Sequence, residues 1–239
     1  MFKFTECDSN GFKTFADKEK SDIICNKWGL SNLIVKTFTF TGQISDAFDP
    51  NEFLVQFFRT PGLPSTQISS VGFETLKTNV IGPNFFKKLW SGPVKLVRDV
   101  PKHPIYKCMD RRLQDIWISD LLQTALLDDE SDEYAQFTED DRRELIFRIM
   151  KAVVIGGDVC QFEDNWDNYE PIIISLYKDV IGQSVVKNTS GAISVVARSF
   201  SITKINGNDI RTDFDRSFCI VTIDTIGKKV RLFSYKCAL

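Results

Sequence analysis

The chain carries few side chains suited to acid–base or nucleophilic chemistry. His103 is its one histidine, and histidine is the usual proton carrier near neutral pH. A Ser–His–Asp or Cys–His arrangement would have to use it, and no G-x-S-x-G elbow occurs to meet it. Cys108 follows in the same segment, but a cysteine among mixed apolar residues reads first as a small buried hydrophobe. His103, between Lys102 and Pro104, reads first as a loop residue. The cysteines Cys7, Cys25, Cys108, Cys160, Cys219 and Cys237 are scattered without a C-x-x-C, which is no zinc pattern. Free thiols in a reducing cytosol are the expectation.

Phosphate and metal motifs fare no better. There is no G-x-x-x-x-G-K-[ST] and no G-x-G-x-x-G after a strand. Gly156-Gly157-Asp158 follows a helical segment, so helix termination is its simplest role. The acidic run Asp128, Asp129, Glu130, Asp132, Glu133 resembles a calcium loop in part, but Glu133 stands where the sharp turn needs Gly. An exposed loop is expected there. No cofactor or metal is expected, and the residues alone point to a soluble globular protein without a recognisable active site.

The elements that would position any site are clearer. Thr138 with Asp141 three residues on is close to a capping box ahead of an amphipathic helix, with Leu145, Ile149 and Val153 on one stripe. Glu139, Asp140 and Asp141 set negative charge at its positive end. Gly156 ends it, and a second helix from about Tyr169 to Val180 completes a helical hairpin. Asp49-Pro50-Asn51-Glu52 opens another helix, with Asp49 as N-cap and Pro50 at the first position; Phe53, Leu54, Phe57 and Phe58 form its core side. Leu33–Thr41 alternates as a strand should. Val71–Ile81, Ile193–Ile205, Phe218–Asp224 and Lys229–Tyr235 read as further strands, with a hairpin turn at Thr225-Ile226-Gly227. Helices are expected at Ser21–Trp28 and at Asp115–Leu127, although Ile116, Trp117 and Ile118 in a row blur the latter.

The fold class expected is therefore α+β: mixed or antiparallel strands at both ends of the chain, with a central helical hairpin packed on them. The 239 residues suit a single α+β domain over residues 1–239, or two lobes meeting near residues 110–115. The 20 Phe against 5 Tyr and 4 Trp imply a Phe-rich core. A net charge of −2, with no run of basic residues longer than a pair, argues against a nucleic-acid surface. No apolar run is long enough for membrane insertion, and the first residues lack the apolar core of a secretion signal.

The block from Glu130 to Ile181, ESDEYAQFTEDDRRELIFRIMKAVVIGGDVCQFED followed by YEPIIISLYKDVIG, resembles the cilia- and flagella-associated protein 300 family. Phe53–Phe58, Phe85–Trp90, Val97–Asp99, Lys107–Asp110 and Phe233–Cys237 look like family segments in the same order. The likeness covers nearly the whole chain; Ser91–Lys95 and the turn Ile205–Arg216 depart from the pattern. The resemblance implies a non-enzymatic cytoplasmic factor for assembly of outer and inner axonemal dynein arms. It implies work with other dynein assembly factors, chaperones and axonemal dynein subunits, with travel into the cilium by intraflagellar transport and a ciliary or flagellar pool. A structural component of the axoneme and an enzyme with an unrecognised site are the alternatives. The family supplies no catalytic residues to carry over.

For an interaction protein the turn after the long helix is the candidate surface. Gln161, Phe162, Glu163, Asp164 and Trp166 mix aromatic anchors with acidic and polar groups, as interface cores and rims do. The simpler account is that Phe162 and Trp166 staple the two helices together.

Overall fold

A computed structural model describes residues 1–7, 11–44, 48–63, 67–157, 163–187, 189, 191, 193–213, 215–237 and 239. In chain order the elements begin with β1 (Lys3–Glu6), α1 (Lys18–Asp22), β2 (Ile34–Thr41), α2 (Pro50–Phe58), β3 (Val71–Leu76) and α3 (Lys88–Ser91). Next come β4 (Lys107–Leu113), β5 (Ile116–Asp120), α4 (Leu121–Leu127), α5 (Glu139–Arg142), α6 (Leu145–Ile155) and α7 (Glu170–Ile181). The chain closes with β6 (Val185–Lys187), β7 (Ile193–Val195), β8 (Arg198–Ile205), β9 (Asn208–Asp209), β10 (Phe218–Asp224) and β11 (Lys229–Tyr235). Contacts divide it into two compact units: unit 1 is Met1–Lys13, Asn32–Thr78 and Lys178–Leu239, and unit 2 is Thr14–Ser31 and Asn79–Tyr177. Residues 110–115, the expected meeting point of two lobes, lie inside unit 2.

Unit 1 is built on an antiparallel sheet of order β1-β2-β11-β10-β8-β3, with β9 paired to β8. Strands from both ends of the chain thus share one sheet. Alternation puts Phe38, Phe40, Phe200, Val221, Ile223, Val230 and Leu232 on one face, where α2 lays Phe53, Leu54, Phe57 and Phe58 against them. The expected caps form that helix: the Asp49 carboxylate accepts the Asn51 N–H at 2.9 Å, and Pro50 opens the first turn. Six Phe in this cluster are buried, each contributing about 2 kcal/mol by leaving water. Edge-on ring pairs such as Phe38–Phe57 and Phe40–Phe53 fill it at centroid distances of 5.1 and 5.5 Å.

The opposite face of the same strands carries a row of polar residues. The register sets Thr37, Arg231, Thr222 and Ser199 side by side across β2, β11, β10 and β8, all of them buried. Ser199 and Thr222 hydroxyls bond at 3.0 Å. Asp224 at the end of β10 pairs with Arg231 at 3.3 Å and accepts N–H groups of Gln183 and Gly227 and the Ser184 hydroxyl. Burial opposes its charge, and these donors outweigh burial, leaving the carboxyl below its ordinary range. Gly182, at φ +60°, is where α7 ends; a Cβ there would collide with the Arg231 guanidinium.

Unit 2 contains α3–α6, the start of the chain's helical region at α1, most of α7, and the two-stranded β4–β5 ribbon. The capping box at Thr138 forms as expected: the hydroxyl accepts the Asp141 N–H at 3.1 Å, and the Asp141 carboxylate accepts the Thr138 N–H at 3.0 Å. The helix it opens is not continuous. It stops at Arg142 and restarts at Leu145, because Glu144 adopts an extended ψ of 136°. Tertiary partners pull the break apart: Arg142 is buried and donates to the carbonyls of Ala125 and Tyr134, and Glu144 accepts the Val80 N–H.

Two other expectations change. Residues 116–120 form a strand instead of the first turns of a helix, with Ile116 and Ile118 buried and Trp117 turned outward. Alternation at period two explains the apolar triplet that blurred the helical reading. The helical hairpin is realised in part. Both helices exist, but the segment between Ile155 and Glu170 contains its own short turn, Trp166–Asn168, and pairs with a distant segment through Pro104 and Asn165.

Candidate functional site

The turn after α6 holds the residues that the sequence marks for partner contact. Gln161 and Phe162 lie outside the described residues. Glu163 is 4% exposed and points inward. Its carboxylate accepts the Trp28 indole N–H at 2.9 Å, the Asn168 amide at 2.8 Å and the Lys27 ammonium at 2.5 Å. Burial raises the cost of its charge, but these three donors prevail and hold the carboxyl below the ordinary range. Trp166 is fully buried, its ring 4.9 Å from Phe86 and its N–H donated to Glu170 at 2.6 Å. Asp164 alone of the described three faces solvent, with a side chain 83% exposed and a 3.1 Å ion pair to Lys107.

Backbone pairing sets this turn against residues 103–106. The Asp164 carbonyl accepts the Ile105 N–H, and the His103 carbonyl accepts the Trp166 N–H, both at 2.9 Å. His103 sits at φ 46° and Lys102 at φ 71°, conformations unfavourable for residues with a Cβ. The constraint aims the His103 ring: it stacks on Trp90 at 4.6 Å, and its Nδ1 meets the Asp167 carboxylate at 2.7 Å. His103 and Cys108 are each taken by other partners. Cys108 is half-buried beside Thr124, and burial pushes its thiol up, away from nucleophilic thiolate character.

Beyond this turn, β4 and β5 form a ribbon with two large apolar side chains in solvent, Met109 at 88% and Trp117 at 49% exposure. Trp28 and Trp166, by contrast, are fully buried. Exposed ion pairs border the ribbon, Arg112–Asp115 at 2.7 Å and Lys107–Asp164 at 3.1 Å, and Arg111 pairs with Asp128 at the start of the acidic run. At the end of β5 Asp120 caps α4 by accepting the Gln123 N–H at 2.8 Å, and burial lifts its carboxyl to about 6. Sequence reasoning missed Met109 and Trp117. Reading 116–118 at period two would have placed Trp117 opposite two buried isoleucines.

Exposed apolar and aromatic side chains near charged ones recur in protein-binding patches. Among the described residues, no group of three or more His, Cys, Asp or Glu is arranged to hold a metal ion. No helix among them is long and apolar enough to cross a membrane.

Comparison with known proteins places this architecture. The family model described as "Cilia- and flagella-associated protein 300" matches residues 1–235. A protein of that name from Paramecium tetraurelia is 31% identical over 179 residues, covering 70% of this chain and 69% of the relative. Another from Chlamydomonas reinhardtii is 28% identical over 170 residues, covering 69% of this chain and 65% of the relative, slightly under two thirds of its length. No solved structure matches the chain. With the family model spanning both units and the resemblance of Glu130–Ile181 extended to nearly the full sequence, the chain belongs to the cilia- and flagella-associated protein 300 family.

Proposed function

We propose that this chain is a non-enzymatic cytoplasmic factor for assembly and ciliary delivery of outer and inner axonemal dynein arms, and that it acts through protein–protein contacts. Membership of a family named for cilia and flagella, over residues 1–235, is the observation that carries the reading. The family is named for a location and not for a reaction. The exposed ribbon of unit 2 supports the mode of action, because a solvent-facing Trp and Met bordered by charge suit recognition of another protein. In this reading the partners are other assembly factors, chaperones and dynein subunits met in the cytoplasm before they enter the cilium.

The test is affinity purification of the tagged chain from ciliating cells, with cytoplasmic and ciliary fractions compared. Dynein subunits and assembly factors should co-purify from the cytoplasmic fraction, and salt-washed axonemes should hold little of the chain. Retention in washed axonemes at fixed stoichiometry would make it a structural component instead. Absence of dynein subunits from both fractions would sink the proposal.

A further inference from the structure

The two-stranded ribbon of unit 1, β6 with β7, has one edge occupied and one edge open. Its register sets Val185 opposite Val195, Val186 opposite Ser194 and Lys187 opposite Ile193. The Val196 N–H bonds the Ser184 carbonyl at 2.8 Å, which makes Ser184 and Val196 a hydrogen-bonded pair. Such pairs alternate in an antiparallel ladder, so Val185, Lys187, Ile193 and Val195 turn their N–H and C=O groups away from the other strand. On the β7 side the Thr78 hydroxyl occupies the edge, 3.4 Å from the Val195 carbonyl and 3.5 Å from that of Ala197. On the β6 side the Gln183 N–H is taken by Asp224 at 3.0 Å. Beyond it, no described residue bonds the outward groups of Val185 or Lys187. The same register gathers Val185, Lys187, Ile193 and Val195 on one face. Val185 is 43% and Ile193 49% exposed there. Lys187 is exposed too, with no carboxylate partner among the described residues. Two strands alone are marginal in water, and a third along the open edge would add ladder bonds and cover apolar surface.

We propose that the outer edge of β6 takes an extended segment of a partner protein as a third strand, one with a β-branched apolar residue and a carboxylate two positions apart. The N–H and C=O groups of Val185 and Lys187 would bond its main chain, the part of strand addition that gives affinity. Side chains opposite Val185 and Lys187 fall on the face those two share. The apolar one would pack on Val185, and the carboxylate would meet Lys187 as a cross-strand pair of opposite charge. A second copy of this chain fits less well, since an identical strand would set another Lys187 on the same face.

The inference rests on reading the chain as an interaction protein, yet the two can fail separately. The probe is a short fluorescent peptide of alternating Thr and Val with one Val replaced by Glu, so that Glu and Val stand two positions apart. One control carries Lys in place of Glu, and a second is N-methylated along its backbone and cannot donate. Binding to the full chain is read by anisotropy. The Glu peptide should bind the wild-type chain, and the N-methylated one should not. Lys187→Glu should weaken the Glu peptide roughly ten-fold and favour the Lys peptide instead. Val185→Pro removes an outward N–H that β7 does not use and should also weaken binding roughly ten-fold; Lys187→Glu keeps the test intact should the proline variant fail to fold. Equal binding of the Glu and Lys peptides to wild type, binding that survives N-methylation, no binding of the Glu peptide, or unchanged affinity in Lys187→Glu would overturn the proposal. So would sedimentation showing two copies of the chain paired through this edge. Dynein subunits that co-purify equally with wild type and with Val185→Pro combined with Lys187→Glu would sink the surface and leave the function standing.

Discussion

Unit 1 and unit 2 solve the problem of buried polar groups in different ways. In unit 1 long paired strands satisfy most backbone groups through ladders, and a charged pair, Asp224 with Arg231, is buried among them. Unit 2 is made of short helices and irregular turns, and side chains stand in for missing ladders. Arg142 donates to two carbonyls, Gln136 bridges the Lys88 carbonyl and the Val94 N–H, and Glu144 accepts from Val80. Buried backbone groups must be paired in either case. The irregular unit therefore needs specific polar residues at many positions, where the regular one needs mainly alternation. It also presents Trp117, the one aromatic among the large hydrophobics exposed in the described residues.

The comparison can be broken most sharply at Asp224. Replacing it by Ala leaves Arg231 buried without its anion and should cost unit 1 about 3–5 kcal/mol, read by urea denaturation. A loss under about 1 kcal/mol would mean that Arg231 does not depend on Asp224 for its charge balance. In unit 2, Glu163→Ala strands the donors of Trp28 and Asn168 and should cost about 2–3 kcal/mol.

Asp120 tests the sign of a buried charge. Its carboxyl ionises near 6 in the fold against an ordinary 3.8, with burial the main cause and Lys107 and the N–H groups of Gln123 and Leu122 opposing it. The folded chain thus holds that proton more tightly than the unfolded one. The group's stabilising contribution is complete below about pH 4 and is lost as pH rises through about 6. Asp120→Asn keeps an N-cap acceptor and should raise stability at pH 7 by about 2 kcal/mol. A thermal melt series between acid and neutral pH should show the two proteins diverging across that window; parallel curves would contradict the buried charge. Smaller still, Thr138→Ala removes half of a capping box and should cost about 1 kcal/mol, seen as a shift in urea midpoint. Asp164→Ala should change stability by less than about 0.5 kcal/mol, because its ion pair is exposed. Glu163 and Asp164, adjacent in sequence, would then differ several-fold.

What the sequence by itself determined was set by signals that act within a few residues. The Asp49–Pro50 start of α2, the Thr138–Asp141 box, the alternation of β2, β10 and β11, and glycines at the ends of α6 and α7 all follow from local caps and periodicity. The Phe-rich core and the family likeness were legible for the same reason, being properties of residue type and order. Tertiary structure alone decided the rest: that the Thr138 helix breaks at Glu144 and that Glu163 and Trp166 turn inward. Each of these depends on a partner far along the chain, such as Val80 for Glu144 or Trp28 for Glu163. No local propensity encodes the free energy of a contact made across more than a hundred residues.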